Sequence, residues 1–206
     1  MKSTRFRQLA RLAGWAVRQT RWPAPRYADV DQRFDHDLEP VVMSARRLDA
    51  DTTPLFEAGK QHNLRLAAPA FDGLVLGPGQ PLSFWRTLGR VTAERGYVSG
   101  MALEEGCIVP SLGGGLCLLS NALFELAVRS GWSIVERHGH SMEAVPPGPG
   151  RVWGLDATVA WPHVDLVIEP IAPTRLSVAL VDVRLVVGGA AARAQRDTFV
   201  LCSEDD

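Results

Sequence analysis

The longest regular hydrophobic pattern in the chain lies within SLGGGLCLLSNALFELAVRSG, residues 111–131. Leu118, Ala122, Leu126 and Arg129 share one side of a 3.6-residue helix, and Leu119, Leu123 and Ala127 lie beside them. That pattern predicts a half-buried helix. Gly131 is placed to end it, because glycine takes the left-handed cap conformation at no steric cost. At the other end Gly113, Gly114 and Gly115 run straight into Cys117, which predicts a glycine-rich loop and a cysteine in the first helical turn.

The remaining elements are shorter. Leu55, Phe56, Leu64 and Leu66 predict a helix over residues 55–68, followed by a strand at 73–76 and a GPGQP turn at 77–81. Residues 82–85 read as an extended piece or a helix start, and 97–103 and 107–109 as strands. After the central helix, WSIVER alternates as a strand over 132–137, with Trp132, Ile134 and Glu136 on one face. MEAVPPGPGR has the composition of a loop. Short apolar strands at 155–159 and 164–168 bracket Trp161-Pro162-His163. Residues 176–187 alternate as one long strand or a hairpin; 188–196 read as a turn or irregular segment, and 197–201 as a final strand. A long helix with strands on both sides, in no βαβ rhythm, predicts an α+β fold: one domain with the cysteine-headed helix packed on a mostly antiparallel sheet. The expected organisation is a basic N-terminal helix over 1–28, a polar linker over 29–54, the main domain over 55–170, and a C-terminal strand extension with an acidic tail over 171–206.

Composition narrows the function. The 206 residues are 46% hydrophobic and 22% charged, which is ordinary for a globular protein, and a net charge of −1 argues against nucleic-acid binding by the whole chain. Three cysteines, Cys107, Cys117 and Cys202, cannot all pair within one chain, so a reducing compartment or a functional thiol is favoured over a disulfide scaffold. The charge is uneven. Residues 1–28 hold Lys2, Arg5, Arg7, Arg11, Arg18, Arg21 and Arg26 and no acid, with Phe6, Leu9, Ala13, Ala16 and Val17 at helical spacing near Trp15 and Trp22. A basic amphipathic helix of this kind can lie on an anionic membrane surface; the alternative reading is a frayed, solvated basic arm. The apolar run at 12–17 is too short for a signal core or a spanning helix, so the expected location is cytoplasmic, peripheral on the inner face of the membrane.

A thiol at a helix N-terminus meets unpaired N–H groups and the positive end of the helix dipole, both of which favour thiolate. The amides of Gly113, Gly114 and Gly115 are candidates to cradle an oxyanion. His140 follows at the end of the next predicted strand, and Asp156 at the start of the one after it. Cysteine, histidine, acid is the chain order of papain-like hydrolases, in which histidine deprotonates the thiol and the acid fixes its tautomer. His138 competes with His140 for the role of base. No CxxC or HExxH spacing accompanies Cys117, His138 and His140, so neither a metal nor another cofactor is expected.

Several stretches in order resemble the VanW family, which occurs in glycopeptide-resistance clusters and in cell-envelope proteins. HNLRLAAPAFDGLVLGPGQPLSFW resembles its Asn-Leu and PG-x-x-(F/L)-S-(F/Y)-W motifs, and GGGLCLLSNALF its Gly-Gly-Gly-x-Cys-Gln-x-Ser signature. VERHGHS is similar to its Glu-Arg-x-x-His-Ser, while GLDATV and VDLVIEP are similar to Asp-Ala-Thr and Asp-Leu motifs. The resemblance implies cysteine-dependent L,D-transpeptidation of peptidoglycan stem peptides or their precursors, with Cys117 as nucleophile and His140 as base. Either Asp156 or Asp165 would orient the histidine, and Ser120 and Ser141 would contact substrate. The family glutamine is Leu118 here. The alternative is a non-catalytic peptide- or muropeptide-binding module, or a degenerate enzyme, attached peripherally to the membrane.

Overall fold

A computed structural model of the chain describes residues 26–27, 34–44, 54–104, 107–139 and 156–192. Nearly all of the basic N-terminal segment, together with His140, Ser141 and the acidic tail, lies outside the described residues. The strands are β1 (Arg26–Tyr27), β2 (His36–Ser44), β3 (Leu74–Leu76), β4 (Leu82–Ser83), β5 (Ser99–Glu104), β6 (Cys107–Leu112), β7 (Ser133–Glu136), β8 (Val167–Glu169), β9 (Thr174–Val181) and β10 (Arg184–Ala191). The α-helices are α1 (Pro54–Ala67), α2 (Phe84–Leu88) and α3 (Cys117–Arg129). All strand pairings are antiparallel, so the fold is α+β as expected.

The main sheet has the order β1-β3-β9-β10-β2. Its centre is a hairpin: Thr174, Leu176 and Val178 of β9 point inward while Arg175, Ser177 and Ala179 point to solvent. Asp182 at the hairpin turn has φ 53, a left-handed conformation that a short polar side chain tolerates. The sheet's apolar face receives α3, whose Leu119, Ala122, Leu123, Leu126 and Ala127 are buried. Val41 and Met43 of β2 and Leu185 and Val187 of β10 share the same core. Two smaller sheets, β4-β8-β7 and the β5-β6 hairpin, complete the fold.

Four expectations are corrected. Residues 36–44 are not linker but a nine-residue strand, paired with β10 along its length. Its alternation is confined to one end, where Val41 and Met43 are buried, and Pro40 is tolerated because β2 is an edge strand. Residues 188–191 continue β10 instead of forming a turn; the register shifts between Val187 and Gly189, and Gly189 lies so close to the Arg175 carbonyl that a Cβ would collide with it. Residues 156–159 form no ladder, although they had the apolar content of a strand. In β7 a bulge between Ile134 and Glu136 disrupts the alternation, so Ile134 and Val135 are both exposed while Trp132, just before the strand, enters the core.

Asp165 joins the second sheet to α2. Its Oδ1 accepts from the N–H groups of Trp85 (3.1 Å) and Leu166 (2.9 Å), and its Oδ2 from the Ser83 hydroxyl (2.6 Å). Ser83 Oγ in turn accepts from the Arg86 N–H (3.1 Å), capping α2. Burial lifts the Asp165 carboxyl above its ordinary 3.8; the bonds from Ser83 and Trp85 pull it back in part, while Glu136 adds to the rise.

Between the β5-β6 hairpin and the start of α3, the backbones of Gly100 in β5 and Gly114 after β6 touch. A Cβ on either would run into the other's carbonyl group. The buried Asn63 of α1 locks this contact. Its Nδ2 donates to the carbonyls of Val98 (3.0 Å) and Gly114 (3.0 Å), and its Oδ1 accepts the Val98 N–H (3.0 Å).

Replacing Asp165 by alanine strands three donors and should cost about 2–4 kcal/mol, measured by urea unfolding. Because its folded pKa is raised, the stability Asp165 contributes is complete below 3.8 and is lost as pH rises through the lifted value. Wild type should therefore lose stability relative to Asp165→Asn as pH rises from 3.8 through the lifted value; parallel curves would show that its ionisation is not linked to folding. Gly114→Ala should lower stability by about 3 kcal/mol, since its Cβ meets backbone rather than a side chain that can rotate away. A melting temperature unchanged by Gly114→Ala would show that the two backbones do not touch.

Candidate active site at the head of α3

The cysteine is placed by backbone geometry. Gly113 and Gly115 have φ 75 and 99, conformations that favour glycine, and they fold residues 113–116 into a turn between β6 and α3. The Lys60 stem of α1 packs against Gly115, leaving no room for a side chain there. Cys117 is the first residue of α3, a half-buried thiol that is not in a disulfide.

The turn does not offer three amides to a ligand. The Gly113 N–H donates to the Val98 carbonyl (3.0 Å) and the Gly114 N–H to the Ser111 carbonyl (2.9 Å), so neither is available to an oxyanion. Among the described residues no acceptor takes the N–H of Gly115 or Leu116. Leu116, at the cap position, supplies no side-chain acceptor to the helix. The anion-attracting end of α3 is thus the pair Gly115–Leu116 rather than the whole glycine run.

Opposite the thiol runs the segment from Asp156 to Val159, gripped by the first turns of α3. Ser120 Oγ lies 2.5 Å from the Ala157 carbonyl oxygen and 3.1 Å from that of Cys117, and Asn121 Oδ1 accepts the Ala157 N–H (2.7 Å). Thr158 N–H donates to the His138 carbonyl (2.8 Å). Arg137 donates through Nε to the Asp156 carbonyl (2.6 Å) and through a terminal nitrogen to its Oδ1 (2.7 Å), while its guanidinium lies 5.2 Å from the centre of the Phe124 ring. These contacts bring Thr158 Oγ1 to 3.7 Å and the Val159 carbonyl oxygen to 3.8 Å from Cys117 Sγ. Ser120 is fully buried and bound to Ala157, so it is a structural clamp and not a substrate contact.

His138 is an exposed residue paired with Glu136 (3.1 Å). His140 and Ser141 fall outside the described residues. Gly139, just before His140, lies beside Asp156; a Cβ there would stand 3.6 Å from Oδ1. Asp165 is committed to Ser83, Trp85 and Leu166 at the junction with α2, which corrects its candidacy as the orienting acid. Asp156 keeps its place beside the site, held there by Arg137. Leu118 packs on the core's margin, where a glutamine would have brought a polar group. Asn63, Arg137 and Thr158 lie inside the Asn-Leu, Glu-Arg-x-x-His-Ser and Asp-Ala-Thr stretches but were given no role there, and Asn121 was not singled out. For Asn121 the available signal was spacing, since Ser120 and Asn121 lie three and four positions after Cys117, one helical turn on.

A family model described as VanW-like protein matches residues 59–183. Vancomycin B-type resistance protein VanW of Enterococcus faecalis is 32% identical over 116 residues, covering 56% of this chain and 42% of that protein. The uncharacterized protein YoaR of Bacillus subtilis is 36% identical over 102 residues, covering 50% of this chain and 32% of that protein. The matched region thus spans less than half the length of either relative. No solved structure matches the chain significantly. With more than half of its residues inside the family match, and the glycine turn, Cys117 and the Asp-Ala-Thr segment assembled around one helix head, the chain belongs to the VanW-like protein family.

Proposed function

We propose that the chain carries out cysteine-dependent acyl transfer on a cell-wall peptide, with Cys117 as nucleophile and His140 as general base. The observation that carries this is the placement of Cys117: at a helix head without a side-chain cap, half-buried at the margin of the hydrophobic core, with the Thr158 hydroxyl 3.7 Å and the Val159 carbonyl oxygen 3.8 Å from its sulfur. The His140 assignment rests on the Glu-Arg-x-x-His-Ser stretch inside the family match. The peptide substrate class rests on family membership and on a relative named for vancomycin resistance.

The chemistry is that of a two-step transfer. His140 takes the thiol proton, and the thiolate attacks the acyl carbon of a donor peptide bond. The tetrahedral oxyanion is met by the N–H groups at the start of α3. Collapse breaks the C–N bond, the amine leaves with the proton returned by the imidazolium, and a thioester remains on Cys117. An acceptor amine attacks the thioester, loses its proton to His140, and regenerates the thiol. Leu118 favours a second reading, a peptide-binding groove without turnover, because the family glutamine's polar group is missing.

No helix among the described residues is long and apolar enough to cross a membrane. Attachment to an anionic surface through residues 1–28 is part of the same proposal and follows from their charge.

Residue-resolved alkylation with iodoacetamide from pH 5 to pH 9 tests the catalytic reading, with Cys107 and Cys202 as internal references. Cys117 should titrate below the ~8.5 of a free cysteine. His140→Ala should move that titration upward and His138→Ala should leave it in place. Cys117→Ala should abolish transfer from a stem-peptide donor while retaining the fold. A Cys117 that reacts no faster than Cys202 and ignores His140→Ala would leave the binding groove as the function.

A further inference from the structure

We propose that Thr158 is a positioning residue for the nucleophile, its hydroxyl donating to the Cys117 sulfur once the thiol has lost its proton; the inference rests on the acyl-transfer reading above. Two oxygens face the sulfur, and they act in opposite directions. The Val159 carbonyl, 3.8 Å away, can only accept, so it holds the protonated thiol and repels the thiolate. The Thr158 hydroxyl, 3.7 Å away, can accept from the thiol or turn its proton toward the thiolate. Of these two neighbours Thr158 is the one whose bond survives ionisation, and on loss of the proton it keeps the sulfur from swinging away.

The placement of that hydroxyl is built, not incidental. Ala157, immediately before it, is bonded to α3 through both its carbonyl and its N–H, by Ser120 and Asn121. Asp156 is held through both its carbonyl and its carboxylate by Arg137, and the Thr158 N–H is fixed on the His138 carbonyl. Three consecutive residues are thus tied by side chains or backbone while no ladder runs through them. The residue they present is half-buried, with its hydroxyl against the sulfur. A threonine needed only to fill space would not require the residue before it to be anchored through both its carbonyl and its N–H. Its β-branch also restricts the rotamer, so the hydroxyl is held on the sulfur's side.

The test compares wild type, Thr158→Val and Thr158→Ser of the full chain, reading the Cys117 alkylation profile by peptide-resolved mass spectrometry and the melting temperature separately. Thr158→Val keeps shape and removes the donor. It should raise the apparent Cys117 pKa by about half a unit to one unit, lowering the thiolate fraction at neutral pH roughly three- to tenfold. Thr158→Ser should restore the wild-type profile. Thr158→Ala serves if the valine variant melts early, since it removes the donor without crowding. A valine profile that superimposes on wild type, or a serine variant as shifted as the valine one, would overturn the proposal, because packing alone would then explain the contact. Failure of the acyl-transfer reading looks different: Cys117 would be unresponsive to His140→Ala, while the wild-type and Thr158→Val profiles would still differ if the hydrogen bond exists.

Discussion

The contact between the backbones of Gly100 and Gly114 sets the position of everything around Cys117. Two chains can approach this closely only where neither carries a Cβ, and the polar groups so brought together must be satisfied within the protein. Asn63 supplies that satisfaction from a third element, with its amide spread over Val98 and Gly114. One buried side chain therefore joins α1, the β5-β6 hairpin and the turn that begins α3. Because α3 starts three residues after Gly114, the location of the thiol follows from this joint.

The same physical requirement acts on the opposite side of the thiol with different means. Residues 156–159 have polar backbone and no ladder partner, so side chains of α3 and β7's continuation take up the bonds. Irregular backbone held this way can stand closer to a helix head than a regular strand could. The site thus combines a rigid helix with a segment of fixed but irregular shape, which keeps the half-buried thiol in place without covering it. Asp165 performs an analogous task at a distance, capping the junction of α2 and β8, and its buried carboxyl belongs to stability rather than to the candidate chemistry.

Family membership covers the site more completely than it covers the sheet. The matched residues 59–183 include the glycine turn, α3, Arg137 and the Asp156–Val159 segment. The strands that finish the main sheet, β2 and β10, are His36–Ser44 and Arg184–Ala191 and lie outside that match. They nonetheless supply Val41, Met43, Leu185 and Val187 to the core on which α3 rests. In this chain the apolar platform beneath Cys117 is completed by segments that flank the shared region.

The sequence by itself determined the long elements and the head of α3. The 3.6-residue period of Leu119, Leu123 and Leu126, the glycines before Cys117 and the alternation through Leu176 and Val178 are local signals, and each element formed where its period placed it. Cys117 was legible as a helix-head residue for the same reason. What only tertiary structure decided were the matters that depend on a partner distant in the chain. The strand at 36–44 was obscured because an edge strand with one short apolar end has little period of its own and is defined by pairing with β10. Residues 156–159 had strand-like composition, yet their bonds went to Ser120, Asn121 and Arg137. Ser120 read as a substrate contact because a serine one turn from a cysteine is polar; its burial against Ala157 became visible only once that segment was in place. The glycine amides read as open for the same reason, since Gly113 and Gly114 spend theirs on the carbonyls of Val98 and Ser111, and the first of these belongs to the approach to another hairpin strand. A hydrogen bond within one turn can be read from spacing, whereas one between segments brought together by folding has no trace in either segment alone.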